Sequence, residues 1–250
     1  MKNYLSLLAA LLLMGATSVM CTSCDDEAGP VDRSGVDENG REYVDLGLPS
    51  GTLWAAWNVG ADCPEAYGDY FAWGEVTVKT KYYWDTYAWS VGSLYTVLYF
   101  TKYCSNSSWG YNGFTDELTE LVAADDAATA NWGDEWQTPS FAQFEELINP
   151  DYTTTEWTTQ NGKNGLLVTS KRSIWTGNSI FLPAAGDQYI DPEHSYNPIA
   201  RSLGSWGYYW ARSIMSNSRY AYNLAFCDCN TNADEGSYRC SGQSIRAVRK

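Results

Sequence analysis

The sequence predicts an α+β domain with two helices and short mixed strands, and three observations lead there. Glu42-Tyr43-Val44-Asp45-Leu46, Thr52-Leu53-Trp54-Ala55-Ala56-Trp57, Asp69-Tyr70-Phe71-Ala72-Trp73 and Ser179-Ile180-Phe181-Leu182 are β-like runs bounded by Gly, Pro and Asn. Ser140 follows Pro139 and stands three residues before Gln143, the spacing of a helix capping box. From Arg41 to Lys250 the composition stays aromatic and Gly-punctuated, with no linker-like break and no fixed-period repeat, so this stretch reads as one domain of 210 residues.

The first helix is expected from Thr115 to Asn131, where Leu118, Leu121 and Val122 recur at helical spacing and Gly133 offers a terminator. The second begins after Ser140 and places Phe141, Phe144, Leu147 and Ile148 on one face, ending at Asn149-Pro150.

Residues 1–23 read as a lipoprotein signal peptide. Lys2 precedes an apolar run from Leu5 to Met20 that is too short for a membrane span, and small residues and cysteines follow. Met20-Cys21-Thr22-Ser23-Cys24 resembles a bacterial lipobox, with Cys24 as the lipidated residue and new N-terminus. The acidic run Asp25, Asp26, Glu27 resembles the export tag of surface lipoproteins of Bacteroides-like bacteria, which implies a lipid-anchored protein on the outer face of the outer membrane. Residues 24–40 carry six acids and one base, Arg33, with no large hydrophobe, and read as a flexible tether. Its 16 residues after Cys24 extend to at most about 50 Å.

Composition excludes several function classes. Thirty acids against 16 bases give a formal charge of −14, which disfavours nucleic acid as a partner. Tyr (19) and Trp (12) outnumber Phe (7), so many rings carry a polar edge that must reach water, a hydrogen-bond partner or a ligand. His194 is the sole histidine and reads as a loop residue, so neither a His-based triad nor a multi-His metal site can be built. Charge is unevenly spread: residues 41–200 carry seven bases and 21 acids, residues 201–250 seven bases and three acids. The C-terminal fifth therefore reads as a locally basic face suited to an acidic partner, the bland alternative being that Arg246, Arg249 and Lys250 merely solubilise the terminus.

An ordered string of motifs covers nearly all of residues 41–250. It comprises Tyr43-Val44-Asp45-Leu46-Gly47-Leu48-Pro49-Ser50-Gly51-Thr52-Leu53-Trp54, Tyr67-Gly68-Asp69-Tyr70-Phe71-Ala72-Trp73-Gly74-Glu75 and Asp125-Asp126-Ala127-Ala128. It continues through Trp136-Gln137-Thr138-Pro139-Ser140, Phe181-Leu182-Pro183-Ala184-Ala185-Gly186, Gly207-Tyr208-Tyr209-Trp210 and Ser244-Ile245-Arg246-Ala247-Val248-Arg249. The string resembles the Fibrobacter succinogenes major paralogous domain family. The resemblance implies a C-type-lectin-like fold, related in shape to formylglycine-generating enzymes, with the first and last strands adjacent. A fold alone supplies no function.

Residues 210–243 carry a second resemblance, to the variable region of proteins diversified by retroelements, in which adenines of asparagine codons are randomised. Trp210, Ser213, Ala221, Asn223-Leu224, Phe226 and Gly242-Gln243-Ser244 look like framework. Arg212, Met215, Asn217, Arg219, Tyr220, Tyr222, Asn223, Cys227, Asp228, Cys229, Asn230, Asn232, Asp234, Ser237, Tyr238, Arg239 and Cys240 form the candidate ligand-binding set. Most belong to the set that such codons produce, and Met215 does not. Tyr and Arg supply contact area and planar hydrogen bonding, while Ser, Asn and Asp supply adaptable polar contacts, as in other evolved paratopes. The expected function is non-catalytic binding of a macromolecular ligand, protein or glycan, at the cell surface, without a cofactor.

Two other readings compete: an enzyme of formylglycine-generating type pairing Cys104 with Cys227 or Cys229, and a structural subunit of a surface fibre. Cys227-Asp228-Cys229 with Cys240 invites a soft-metal site, but the spacing does not match a zinc knuckle and no metal is expected. With Cys21 removed and Cys24 lipidated, five cysteines remain and at least one is unpaired. Asp125-Asp126 favours helix capping over calcium, and the calcium motifs of sugar-binding C-type lectins are absent. Trp84, Tyr87, Trp89 and Trp109 read as core or rim aromatics ahead of sugar platforms.

Overall fold

The β-like runs pair into four antiparallel sheets in a computed structural model that describes residues 30–92, 97–189 and 201–249. The signal peptide, Cys21, Cys24, the acidic run after it, His194 and Lys250 lie outside the described residues. In chain order the strands are β1 (Gly35–Val36), β2 (Glu42–Asp45), β3 (Leu53–Ala55), β4 (Ser90–Gly92), β5 (Leu98–Phe100), β6 (Trp136–Gln137) and β7 (Thr153–Gln160). They continue as β8 (Lys163–Ser170), β9 (Ser179–Pro183), β10 (Gly207–Ile214), β11 (Tyr220–Phe226), β12 (Thr231–Tyr238) and β13 (Val248–Arg249), with helices α1 (Ala127–Trp132) and α2 (Phe141–Leu147). Among the described residues, strand accounts for 36% and helix, 3-10 turns included, for 12%. This overturns the α+β, C-type-lectin-like expectation: the protein is mainly β, built from small sheets.

The helical content falls short because the first expected helix mostly does not form. Glu117 adopts φ 56°, Glu120 bridges to Ser213, and the Leu121 N–H donates to the Arg212 carbonyl at 2.9 Å. These links tie the segment to β10 and leave its backbone groups unavailable to a helical ladder. The helix starts only at Ala127, where the Asp126 side chain accepts from the N–H groups of Ala128 and Thr129, and it stops at Gly133 with φ 100°. Leu118 and Leu121 still reach the core, whereas Val122 is exposed. The second helix follows the sequence: Ser140 and Gln143 form both halves of the capping box, and Phe144 and Leu147 are buried.

The largest sheet has the order β1-β2-β3-β13-β6, so the C-terminal strand lies between β3 and β6, with Val248 opposite Trp54 on one side and Gln137 on the other. The expected strand Asp69–Trp73 is reduced to a bridge from Phe71 to Gln243. The compact unit begins at Asp32. Arg33 donates to Asp45 from its backbone N–H (3.1 Å) and Nε (3.0 Å) and to the Gly51 carbonyl from Nη2 (2.8 Å). Burial disfavours the charged Asp37 carboxylate, yet hydrogen bonds from Arg41, Trp136 and Asn39 outweigh it and hold its pKa at about 2. Acids that composition assigns to a solvated linker thus serve as fixed acceptors.

The sheet β10-β11-β12 has hydrophobic clusters on both faces. Tyr209, Leu224, Phe226 and Ala233 join Trp54, Phe144 and Leu166 in one cluster, while Trp210 and Ala221 join Trp73, Tyr103 and Trp136 in a second. Trp73 Nε1 donates to the Ala211 carbonyl and Trp210 Nε1 to the Phe71 carbonyl, each at 2.8 Å, which stitches the sheet to the segment between β3 and β4. A third cluster gathers Trp84, Tyr87, Phe100, Cys104 and Cys240. Truncating one of the fully buried tryptophans to Ala costs about 3–5 kcal/mol.

Candidate functional site at the two ends of the C-terminal sheet

The candidate ligand-binding residues do not form one continuous face. β11 spans seven residues, so its ends lie about 20 Å apart, and the candidates divide between them. Asn223, Cys227, Arg239 and Cys240 are buried, Asn217, Asp228, Cys229, Asn230 and Asp234 are exposed, and the other eight are half-buried.

The buried four are not placed to meet a ligand, and Asn223 is among the residues that look like framework. Arg239 is fully buried and donates to the Tyr87 hydroxyl (2.9 Å) and to the carbonyls of Tyr103 (3.2 Å), Ser218 (3.0 Å) and Lys102 (3.0 Å). Its guanidinium also lies 4.9–5.7 Å from the ring centroids of Trp73, Tyr87, Phe100 and Tyr103. Asn223 donates to Ser237 (2.8 Å) and Gln243 (3.0 Å) inside the sheet. Cys240 packs in the third cluster, and burial pushes its thiol well up. Cys227 is buried and disulfide-bonded to Cys229. None of these four side chains is presented to solvent, because the sheet is covered on both faces and these positions face inward.

At one end, the β10–β11 turn and the end of β12 build an aromatic platform. Tyr220 lies opposite Tyr238 in the strand register, and their rings stack at 4.9 Å with an interplanar angle of 25°. The Arg219 guanidinium lies 4.4 Å from the centroid of the Trp109 ring. Arg219 Nε is buried without a hydrogen-bond partner, and among the described residues Arg219 forms no ion pair. Asn217 shapes the turn, its side chain accepting from the Arg219 N–H (3.1 Å) and its carbonyl from the Tyr220 N–H (2.9 Å). Met215 lies against Gly236, where an added Cβ would overlap its sulfur. A cavity of about 120 Å³ adjoins the turn, lined by Tyr103, Met215, Ser216 and Ser218 among others. The bridge from Phe100 to Gly110 carries Trp109 toward Tyr111, which is 45% exposed and contacts the Tyr99 ring at 6.4 Å. The aromatic surface thus extends beyond the candidate variable region.

At the other end, Cys227, Asp228, Cys229 and Asn230 form the β11–β12 turn beside a cleft of about 300 Å³ between Trp157 and Trp206. Elsewhere, Asn232 and Asp234 border a shallow depression at the end of α2. Tyr222 stacks on Phe141 at 4.4 Å, which makes it largely a packing residue. Arg212 pairs with Glu120 through Nε at 3.0 Å. Ser237 accepts from Asn223.

The locally basic face does not form. Arg201 pairs with Asp187, Arg212 with Glu120 and Arg249 with Glu135, while Arg239 and Arg246 are fully buried. Arg246 donates to Asn58 (2.9 Å) and to the carbonyls of Ala55 (3.1 Å), Ala56 (2.7 Å) and Phe181 (2.7 Å). Burial lowers its pKa to about 10. The positive excess is therefore largely neutralised or enclosed, and neither Arg246 nor Arg249 is a free solubilising charge.

Of the soft-metal candidates, Cys227, Asp228 and Cys229 bring their ligand atoms within 4.8 Å of one another, with the two sulfurs joined in a disulfide, whereas Cys240 sits apart in the third cluster. Cys104 is buried and its thiol donates to the Asn106 carbonyl at 3.2 Å, while Cys227 and Cys229 are joined to each other, so the pairing of Cys104 with either is not made. Asp126 caps α1 and also accepts from Thr138, and Asp125 accepts from the Tyr103 hydroxyl (2.5 Å) and pairs with Lys102 (2.5 Å). Both carboxylates are occupied by the protein itself. Trp84 and Tyr87 are core residues, Trp89 is half-buried and donates to the Gly74 carbonyl at 2.7 Å, and Trp109 sits at the platform rim.

Trp157 and Trp206 escape the sequence-based set because they lie 49 positions apart on separate elements. Only the packing of the β7–β8 hairpin beside the Cys227 turn joins them, and Gly204 two residues before Trp206 is the sole local hint of a turn there. No family model, curated protein or solved structure matches the chain.

Proposed function

We propose that this chain is a surface-exposed bacterial lipoprotein, anchored through Cys24, that binds a macromolecular ligand through the platform of Arg219, Tyr220, Tyr238 and Trp109, without catalysis. One observation carries the reading: stacked Tyr and Arg–Trp pairs lie half-buried together where the β10–β11 turn meets the rim of the third cluster, and Arg219 Nε lacks a partner. Such residues dominate protein-binding hot spots, because they bury large area at low entropic cost. A protein ligand is therefore favoured over a glycan at this end. The motif string and the lipobox support the surface address, and the codon-like composition of residues 210–243 supports diversification of the platform by a retroelement.

Three experiments test the reading. Sequencing the locus should find a near-copy of the 3′ end of the gene beside a reverse transcriptase, differing from it at template adenines; a locus with neither removes diversification. The purified chain should be offered to an array of extracellular and bacterial surface proteins. A binder that is lost about 100-fold or more on combined Arg219→Ser and Tyr220→Ser substitution supports the platform, as expected for two hot-spot residues. Binding indifferent to both substitutions, with the fold intact, overturns it. Cys24→Ala should release the chain from the membrane fraction.

A further inference from the structure

The cleft at the opposite end of β11 has the chemistry of a separate site. Two indoles border it, each held by another ring: Trp206 stacks on Tyr208 at 5.7 Å with an interplanar angle of 9°, and Trp157 packs edge-on to buried Phe226 at 6.4 Å. Among the described residues neither indole N–H has a protein acceptor, and neither is enclosed away from solvent. Asn164 is fixed by a donated bond to the Gly204 carbonyl (3.0 Å) and one accepted from Thr159 (2.7 Å), which leaves its second amide hydrogen available. Asp228 is exposed and has no hydrogen-bond or ion-pair partner among the described residues. The volume, about 300 Å³, lies at the small end of ligand sites.

We propose that the cleft between Trp157 and Trp206 binds a neutral pyranose sugar. The apolar C–H face of a pyranose packs on an indole, while its hydroxyls both accept and donate. Indole N–H and the Asn164 amide meet the accepting oxygens, and the Asp228 carboxylate meets the hydroxyl hydrogens. The carboxylate, in a protein of net charge −14, excludes uronic and other acidic sugars. A quaternary ammonium would suit the rings and Asp228 but would leave every donor in the cleft unused. The site is independent of the protein-binding platform, from which the length of β11 separates it.

Saturation-transfer difference NMR on the purified chain tests this. The probes are methyl β-glucopyranoside, methyl β-galactopyranoside, methyl α-mannopyranoside and N-acetylglucosamine, with methyl β-glucuronopyranoside and choline as counter-probes. Transfer to the C–H protons of at least one neutral sugar is expected. It should weaken about tenfold in Trp206→Ala, the loss of one stacking face, and persist in Tyr220→Ser. Asp228→Asn, at an exposed position, should keep the fold, weaken the neutral sugar and admit the glucuronoside. Absence of transfer to all four neutral sugars overturns the proposal. So does transfer unchanged in both Trp206→Ala and Asp228→Asn, loss of transfer in Tyr220→Ser, or binding of choline alone.

Discussion

Arg239 Nε donates to the phenolic oxygen of Tyr87 at 2.9 Å, joining side chains 152 positions apart within the protein interior. Burial pushes the Tyr87 phenol up, against the opposing pull of the neighbouring guanidinium, so the hydroxyl stays protonated and can donate in turn to the Trp73 carbonyl at 2.7 Å. The contact locks the end of β12 to the loop that carries Trp84 and Tyr87 and thereby supports Tyr238 from beneath.

Arg239→Ala should therefore act on stability and not on a binding face. It removes the donors to Tyr87 and to three carbonyls and leaves a cavity between four rings, so a loss of at least about 3 kcal/mol is expected. Arg239→Lys should recover only a minority of it, because an ammonium cannot span four acceptors held in a planar fork. Urea unfolding followed by tryptophan fluorescence gives both values.

Substitution within the candidate variable region should separate into two classes. Tyr220→Ser and Asn217→Ser lie at half-buried or exposed positions and should change stability by about 1 kcal/mol or less. Asn223→Ala removes the bonds to Ser237 and Gln243 inside the sheet and should cost about 2 kcal/mol. Thermal melts of the single variants check the division; equal losses at all three positions would contradict it.

Asp37 tests where the folded unit begins. Its folded pKa of about 2 lies below the ordinary value of 3.8, so the stabilisation is present above pH 3.8 and is lost as the pH falls through 2. Asp37→Asn should cost about 2 kcal/mol at pH 7 and little at pH 2. Denaturant midpoints of the wild type and variant at the two pH values give the comparison; no difference at pH 7 would return residues 32–40 to the tether.

At alkaline pH the buried phenols dominate. Burial raises Tyr82 and Tyr209 to about 12, and Tyr70, Tyr87 and Tyr103 higher still. Their folded pKa values exceed the unfolded value of 10, so the stability they contribute is complete below pH 10 and is lost as the pH rises toward 12. Arg246, lowered to about 10, has the opposite sign, because the folded state sheds its proton first. Five groups outweigh one, and stability should fall by at least about 1.4 kcal/mol per pH unit above pH 10. Urea midpoints between pH 8 and 11.5 measure the slope.

Legibility in the sequence followed the range of the interaction. The capping box of Ser140 and Gln143, the Asp126 cap and the Gly133 stop were readable because each acts within a few residues. The helix expected from Thr115 failed because Glu120 and Leu121 bond to β10, a partner some 90 positions away that a periodicity cannot contain. The excess of Arg near the C-terminus was visible as composition, but whether an Arg faces water or four carbonyls depends on the packing around it.

The sequence alone determined the chain's acidity, its aromatic richness, the local caps, the lipobox-like segment and the codon-like mixture in residues 210–243, since each is a property of composition or of near neighbours. Only the tertiary structure decided that this mixture divides into buried struts, Arg239 and Asn223, and two surface ends about 20 Å apart on β11. Burial and the pairing of charges are long-range quantities, set by which strands and loops close over a side chain.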